Sequence, residues 1–290
     1  MRGPGGFPAC AAADPADSSR HMGPPLDPDG ARVPLTAPAA PARSERPRWT
    51  TAIAVILGAV YALEVWFGGR LTPTALVELA MGANQGRAVA AGQVDRLLSS
   101  AFLHGSPLHL GLNVMALFAL APLFEELVGG ARLSVLYLGS ALCGALASAA
   151  VHSFGVSVGA SGAIFGLMGG AVGLALRPGG LLPPRMAAQM RGRLWLPLLI
   201  NLAISLQPGI DLSAHLGGGL FGLALVGSGA LGAGIAPLGT VRPLRHQRGF
   251  IAAAVVLWVL AGASLATSIA TGRPWEFRRP VTALTVTRPA

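Results

Sequence analysis

The sequence contains little charge and no lysine. Only 11% of its 290 residues are charged, 52% are hydrophobic, and the mean hydropathy is +0.60. Soluble domains carry charge on about 25% of their residues. Charge this sparse therefore excludes an ordinary soluble domain and indicates helices embedded in a lipid bilayer.

The net charge of +9 comes from arginine, which supplies all 21 basic residues. These arginines cluster at the ends of apolar runs. No basic stripe interleaved with aromatic residues occurs, as a nucleic-acid surface would need. The sequence therefore predicts the bilayer as a partner and no nucleic-acid partner.

Cysteine is also scarce, with Cys10 near the N-terminus and Cys143 inside an apolar segment. Two cysteines in such different surroundings predict no disulfide, and no spacing typical of metal ligands occurs. We expect neither a metal nor another cofactor.

No apolar stretch of about 7–15 residues follows Arg2, so we expect no cleaved signal peptide and a first span that directs its own insertion.

Apolar segments dominate the chain after residue 49. Residues 1–49 are rich in proline, alanine and glycine and lack periodicity, which predicts a disordered cytoplasmic tail. Seven apolar segments follow, and most approach the roughly 20 residues that a transmembrane helix needs. They lie at 51–67, 108–124, 133–151, 161–176, 194–207, 213–232 and 249–270. The fourth and fifth are short, which is typical of helices that begin partway down the bilayer.

These segments predict an all-α membrane protein with four parts. A disordered tail at 1–49 precedes a core of six transmembrane helices at 50–235. A cytoplasmic loop and a seventh transmembrane helix occupy 236–271, and residues 272–290 form an extracytoplasmic tail.

Arginine placement predicts the orientation of the bundle. The short loops at 152–160 and 208–212 contain no arginine, whereas the N-terminal tail and the loop at 177–193 contain several. Cytoplasmic loops carry an excess of arginine and lysine. We therefore expect a multi-pass protein of the cell membrane with a cytoplasmic N-terminus, and seven spans then place the C-terminus outside.

Polar residues inside apolar spans are candidates for function, because they are costly to bury in lipid. Four groups of them occur at the ends of spans: Gly159-Ala160-Ser161-Gly162, Ser213-Ala214-His215, His109 with Asn113, and Arg96 with His104. The predicted orientation places all four groups near the outer face of the membrane. Polar groups that converge at one depth are what an active site requires.

Ser161 and His215 together supply a nucleophile and the general base that a serine hydroxyl needs. Taken singly, each also has a structural explanation, Ser161 as a helix cap and His215 as a hydrogen-bonded packing group. Small residues at four-residue spacing let helices approach closely in lipid. Such glycines occur on both helices: Gly162, Gly166 and Gly170 on the fourth span, Gly218 and Gly222 on the sixth. Because Asp211 is expected to cap the sixth helix, we predict a Ser–His dyad without an acidic third member.

His109 and Asn113 lie one turn apart on one face of the second span. Both side chains can donate hydrogen bonds to an oxyanion, together with the Ser161 backbone amide at a helix N-terminus. A polar clasp between helices would explain the same spacing, and the spacing alone does not decide between the two roles.

Taken in order, these groups resemble the motifs of the rhomboid intramembrane serine proteases. The resemblance covers about 51–232 and rests on Arg96, the stretch from Phe102 to Asn113, Gly159 to Gly166, and Asp211 to Gly218. It implies a six-helix core with an added C-terminal helix, and it implies transmembrane segments of other proteins as substrates. It also implies roles for four residues: Ser161 as nucleophile, His215 as base, His109 and Asn113 as oxyanion donors.

The resemblance further implies structural support from several residues: Gly159, Gly162, His104, Arg96, Gly218 and Glu125. One position departs from the family pattern, since Asp95 stands before Arg96 where the family often has tryptophan. This change bears on how the first loop meets the membrane and leaves the predicted dyad untouched.

Two other functions fit parts of the pattern. A catalytically inactive rhomboid-like protein would bind membrane clients without cutting them, but it would be expected to lack Ser161 or His215. A transporter would place polar residues through the whole depth of the membrane, whereas the inner halves of these spans are almost purely apolar. The predicted function is therefore that of an intramembrane serine endopeptidase.

Overall fold

The computed structural model describes residues 47–179, 181–232, 247–272 and 274. Most of the predicted N-terminal tail, cytoplasmic loop and C-terminal tail lies outside these residues. The described residues form helices and connecting loops, and their only β-type pairing is an isolated bridge between Asn84 and Ser157. The prediction of an all-α membrane bundle is confirmed.

Ten α-helices make up the described part of the chain. They are α1 (Arg48–Gly68), α2 (Ala75–Ala80), α3 (Gly86–Ala90), α4 (Arg96–Ser99), α5 (Pro107–Val128), α6 (Gly130–Val151), α7 (Ser161–Leu176), α8 (Pro184–Ile204), α9 (Leu212–Gly227) and α10 (Gln247–Gly272). Of these, α1, α5, α6 and α10 are long and apolar enough to cross a membrane. Helices α7 and α9 are apolar but have 16 residues each. The short α2, α3 and α4 form the first loop, between α1 and α5.

Helix α8 differs from its predicted span, because it begins at Pro184 and not near residue 194. Three arginines precede the apolar run but lie inside the helix: Arg185, Arg191 and Arg193. Arginine is a good helix former, so the helix continues through them. Pro184 occupies the first helical position, where a missing N–H costs nothing. A hydropathy pattern finds the part of a helix that suits lipid and misses its polar extension.

Helix α7 lies at the centre of the bundle and packs against α5, α6, α8 and α9. Its contact with α9 depends on glycine. A methyl group built on Gly218 would lie 2.0 Å from the carbonyl oxygen of Gly162, and one built on Gly222 would lie 1.9 Å from that of Gly166. Any side chain at these positions would therefore separate the two helices, which glycine allows to touch through their backbones.

The first loop is held by hydrogen bonds to backbone carbonyls. Arg96 Nη1 donates to the carbonyl oxygens of Leu79 and Ala83, both at 2.8 Å. Glu125, near the other end of α5, accepts hydrogen bonds from the Thr50 backbone amide at 2.9 Å and hydroxyl at 2.7 Å. The Arg96 contacts therefore hold the first loop together internally, and the Glu125 contacts tie the start of α1 to α5.

Helix α10 packs against α6, α4 and α2. Trp258 Nε1 on this helix donates to Ser134 Oγ on α6 at 3.0 Å. Nearer its end, Ser268 Oγ donates to Asp95 Oδ2 at 2.5 Å. Asp95 in the first loop is thus bonded to α10.

Candidate active site

Ser161 is the first residue of α7 and follows a sharp change of chain direction at Gly159. The φ angle of Gly159 is +122°, a conformation that side-chain-bearing residues rarely adopt. A methyl group there would also lie 2.7 Å from His109 Cε1. Glycine at this position therefore allows both the turn into α7 and the close approach of His109.

The Ser161 hydroxyl and the His215 imidazole are in contact, although 54 positions separate them in the chain. The distance from Ser161 Oγ to His215 Nε2 is 2.9 Å. His215 lies in the first turn of α9, where Asp211 caps the helix by accepting a hydrogen bond from the Ala214 amide at 3.0 Å. The predicted capping role of Asp211 is therefore confirmed. A serine oxygen and an imidazole nitrogen at this distance can exchange a proton.

Two further side chains hold the His215 ring. The ring of Phe165 stacks on it with a centroid distance of 4.1 Å and an interplanar angle of 9°. Ser205 Oγ lies 2.6 Å from His215 Nδ1. The imidazole is thus supported on one face and bonded at both nitrogens.

Sequence reasoning assigned no role to Phe165 or Ser205. Phe165 follows Ser161 by four residues, so helical periodicity places both on one face of α7 and could have indicated the stacking. Ser205 lies at the C-terminal end of α8, in the loop that leads to α9. No spacing in the sequence indicates its contact with His215, which depends on how α8 packs.

His109 and Asn113 lie beside the backbone that leads into Ser161. A methyl group built on Gly159 would be 2.7 Å from His109 Cε1 and 3.8 Å from Asn113 Nδ2. Asn113 Nδ2 donates to the His109 carbonyl at 3.0 Å, and its second N–H remains for another acceptor. Both side chains line the same cavity as Ser161 and His215, so four of the predicted residues surround one space.

That cavity has a volume of about 560 Å³, within the range of about 300–1,000 Å³ found for ligand sites. Apolar residues of α5 and α8, including Leu108, Leu112 and Ile204, form part of its wall. The cavity therefore offers apolar surface next to a serine–histidine pair. In the described part of the chain, no three side chains of the metal-binding types lie close enough to share an ion.

His104 lies behind the cavity and does not line it. Its side chain is completely buried, its backbone amide donates to Glu64 Oε2 at 2.9 Å, and its ring meets that of His109 edge-on with a centroid distance of 5.1 Å. Burial, and after it the charge of His109, lower the pKa of His104 to about 3, although the hydrogen bond with the Phe102 carbonyl acts to raise it. A neutral His104 therefore packs against His109, whereas Arg96 bonds to carbonyl oxygens within the first loop.

The electrostatics of Asp211 suit a helix cap. Burial raises the pKa of this carboxyl, but serine hydroxyls and the Ala214 amide that donate to it outweigh burial and hold the pKa below its ordinary value. The ionised carboxylate accepts from Ser213 Oγ at 2.5 Å and lies 3.6 Å from His152 Nε2. Asp211 thus serves as the N-terminal cap of α9.

Comparison with known protein families matches residues 91–230 to the Rhomboid domain. RHOMBOID-like protein 5 of Arabidopsis thaliana is 36% identical over 173 residues, which cover 59% of this chain and 51% of the relative. RHOMBOID-like protein 2 of the same plant is 36% identical over 130 residues, or 45% of this chain and 40% of the relative.

A bacterial relative is named as an enzyme. Rhomboid protease GluP of Bacillus subtilis is 31% identical over 176 residues, which cover 60% of this chain and 33% of that protein. The chain spans about half the length, or less, of the curated relatives it matches. The Rhomboid match includes Ser161, His215, His109 and Asn113. Residues 91–230 therefore carry a Rhomboid domain, in a chain whose apolar helices are those of a multi-pass membrane protein.

Proposed function

We propose that this protein is an intramembrane serine endopeptidase that uses Ser161 as nucleophile and His215 as general base. The observation that carries the proposal is the 2.9 Å contact between Ser161 Oγ and His215 Nε2 at the wall of a cavity. A serine hydroxyl is a weak nucleophile until a neighbouring base takes its proton. An imidazole is the side chain that most often does so near neutral pH.

In the proposed first step, Ser161 Oγ attacks the scissile carbonyl carbon and its proton moves to His215 Nε2. The carbonyl oxygen becomes an oxyanion, and its donors would be His109, Asn113 and the Ser161 backbone amide. That amide is at the start of α7, where backbone N–H groups have no acceptor within the helix. One such donor typically contributes about 3–4 kcal/mol to transition-state stability.

The tetrahedral intermediate then collapses and the C–N bond breaks. His215 gives its proton to the leaving amine, which leaves an ester between the substrate and Ser161. Water attacks this ester with His215 again as base; the C–O bond to Ser161 then breaks, the carboxylic acid is released, and His215 returns the proton to Ser161 Oγ. Every proton is passed through Nε2, so no metal or cofactor is needed.

We propose transmembrane segments of other membrane proteins as the substrates. The cavity has apolar walls contributed by α5 and α8, which suit a segment that arrives from lipid. Three of the proposed active-site residues lie at N-terminal ends of helices: Ser161 in α7, His215 in α9 and His109 in α5. The chemistry would therefore occur near one membrane face. From the arginine distribution, we propose that this face is extracytoplasmic.

An inactive client-binding relative is the second candidate. The plant relatives are named only as rhomboid-like, so their names do not favour cleavage over binding. The contact between Ser161 and His215 favours the protease, because a binding protein has no need of a nucleophile bonded to a base.

A fluorophosphonate probe separates the two candidates. We expect the purified protein in lipid to form an adduct on Ser161, located by mass spectrometry, and to cleave members of a panel of transmembrane substrates. Ser161→Ala and His215→Ala should lose both reactions. Ser228→Ala removes an exposed hydroxyl at the far end of α9 and should retain both. A correctly folded wild-type protein that neither reacts nor cleaves would contradict the proposal.

A further inference from the structure

Ser205 is a buried serine next to the proposed base. Its exposed fraction is 2%, and it follows the last residue of α8. Its hydroxyl makes two short contacts, one of 2.7 Å to the carbonyl oxygen of Asn201 and one of 2.6 Å to His215 Nδ1. The hydroxyl therefore lies between a backbone carbonyl and an imidazole nitrogen.

The chemistry of these neighbours determines the placement of the protons. A carbonyl oxygen can only accept a hydrogen bond, whereas an imidazole nitrogen donates or accepts according to its tautomer. If Ser205 donated to Nδ1, two acceptor oxygens would face each other at 2.7 Å with no hydrogen between them. Both contacts are hydrogen bonds only when Ser205 donates to Asn201 and Nδ1–H donates to Ser205.

In the described part of the chain, no carboxylate hydrogen-bonds to the His215 ring. Asp211, the nearest acidic residue in sequence, accepts from Ser213 and Ala214. In the described part of the chain, the hydrogen-bonding partners of the His215 ring are Ser161 and Ser205. The tautomer of the ring is therefore set by a hydroxyl.

We infer that Ser205 is a positioning residue that keeps the neutral His215 protonated on Nδ1 and leaves Nε2 as the acceptor for the Ser161 proton. The inference rests on the proposed dyad, since only that chemistry requires this tautomer. The opposite tautomer would direct an N–H at Ser161 and could not take its proton. Ser205 thus occupies the place that a carboxylate holds in serine proteases with a triad, without contributing a charge.

Kinetics of matched variants give the first test. Ser205→Ala should lower kcat about fivefold to tenfold, the effect expected from one neutral hydrogen bond, and change KM little because Ser205 is almost fully buried. Ser205→Thr keeps a hydroxyl and should restore most of kcat. Ser228→Ala should behave as wild type. Unchanged kcat in Ser205→Ala would overturn the inference.

Nitrogen-15 NMR of the histidines gives the second test and needs no substrate. The protein has six histidines, and the signals that disappear in His215→Gln belong to His215. At about pH 8, above the ordinary histidine pKa, wild type should show the protonated nitrogen at Nδ1, and Ser205→Ala should shift the ring toward the Nε2-protonated tautomer. A wild-type ring protonated on Nε2 would overturn the inference. Because this result does not depend on cleavage, it is distinguishable from a failure of the proposed protease function.

Discussion

Ser268 on α10 donates a hydrogen bond to the carboxylate of Asp95 in the first loop, at 2.5 Å. Gly82, with a φ of +101°, makes room for this contact, because a methyl group there would lie 2.3 Å from Ser268 Oγ and 2.4 Å from Ser99 Oγ. Asp95, which precedes Arg96, therefore joins the first loop to α10.

This pair predicts an energetic coupling between α10 and the first loop. Ser268→Ala should lower the free energy of unfolding by about 1–3 kcal/mol, because it leaves a partly buried carboxylate without its donor. Unfolding in mixed detergent micelles measures the change. Thr271→Ala, which removes an exposed hydroxyl on the same helix, is the matched control and should have little effect.

A double-mutant cycle then tests the contact itself. Because the two side chains are bonded, Asp95→Ala and Ser268→Ala should be non-additive. Strictly additive losses would show that the pair does not form in the folded protein.

The glycine contacts predict a sharp difference between glycines that look alike in the sequence. Gly218→Ala should destabilise the bundle by about 1–3 kcal/mol, the usual cost of overpacking, since its methyl group would meet the Gly162 carbonyl at 2.0 Å. A shift of about 1 Å between α7 and α9 should lower activity by on the order of a hundredfold.

Two glycines serve as controls for this prediction, Gly58 on α1 and Gly262 on α10. Outside the backbone of its own helix, neither has an atom within 4 Å of the place that an added methyl group would take. Alanine at either site should keep full activity and leave stability equal or higher, because alanine favours helix. Full activity in Gly218→Ala would refute the backbone contact.

His104 predicts a loss of stability in acid. Burial and, after it, the charge of His109 lower the pKa of this histidine to about 3, although the Phe102 carbonyl acts to raise it. An unfolded histidine titrates near about 6.5. Between these values the unfolded chain binds a proton that the folded one does not. The stability that neutral His104 contributes to the folded state is thus fully present above about pH 6.5. It is lost as the pH falls toward the folded-state pKa of about 3.

Unfolding measured across this range should show the effect in the slope. Wild type should gain up to about 1.4 kcal/mol per pH unit from this one group. His104→Gln should be less stable at neutral pH but have a shallower pH slope. Equal slopes in wild type and His104→Gln would contradict the buried neutral ring.

The sequence predicted the parts of this protein that depend on local pattern. Hydropathy found the apolar spans, and motif order brought Ser161 and His215 into one hypothesis. It did not find Ser205, because that contact joins the end of α8 to α9 and leaves no periodic signal. The role of Asp95 was also out of reach, since its partner Ser268 is 173 positions away on another helix.

The last prediction concerns orientation. Ser205, at the C-terminal end of α8, lies at the dyad, and three arginines lie in the N-terminal half of this helix, toward the opposite membrane face: Arg185, Arg191 and Arg193. Because arginine-rich segments favour the cytoplasmic side, we expect the dyad on the outside. Two exposed positions, Val156 before α7 and Gln189 in the arginine-rich part of α8, report on the two faces.

Single cysteines test this arrangement in intact cells, in a background that carries Cys10→Ser and Cys143→Ala. Val156→Cys should react with a membrane-impermeant maleimide, whereas Gln189→Cys should react only after the cells are opened. Thr287→Cys, outside the described residues, should label like Val156→Cys if α10 crosses the membrane. Labelling of Gln189→Cys with protection of Val156→Cys in intact cells would place the dyad on the cytoplasmic side. The proposed extracytoplasmic cleavage would then be wrong, even if the Ser161–His215 pair were active.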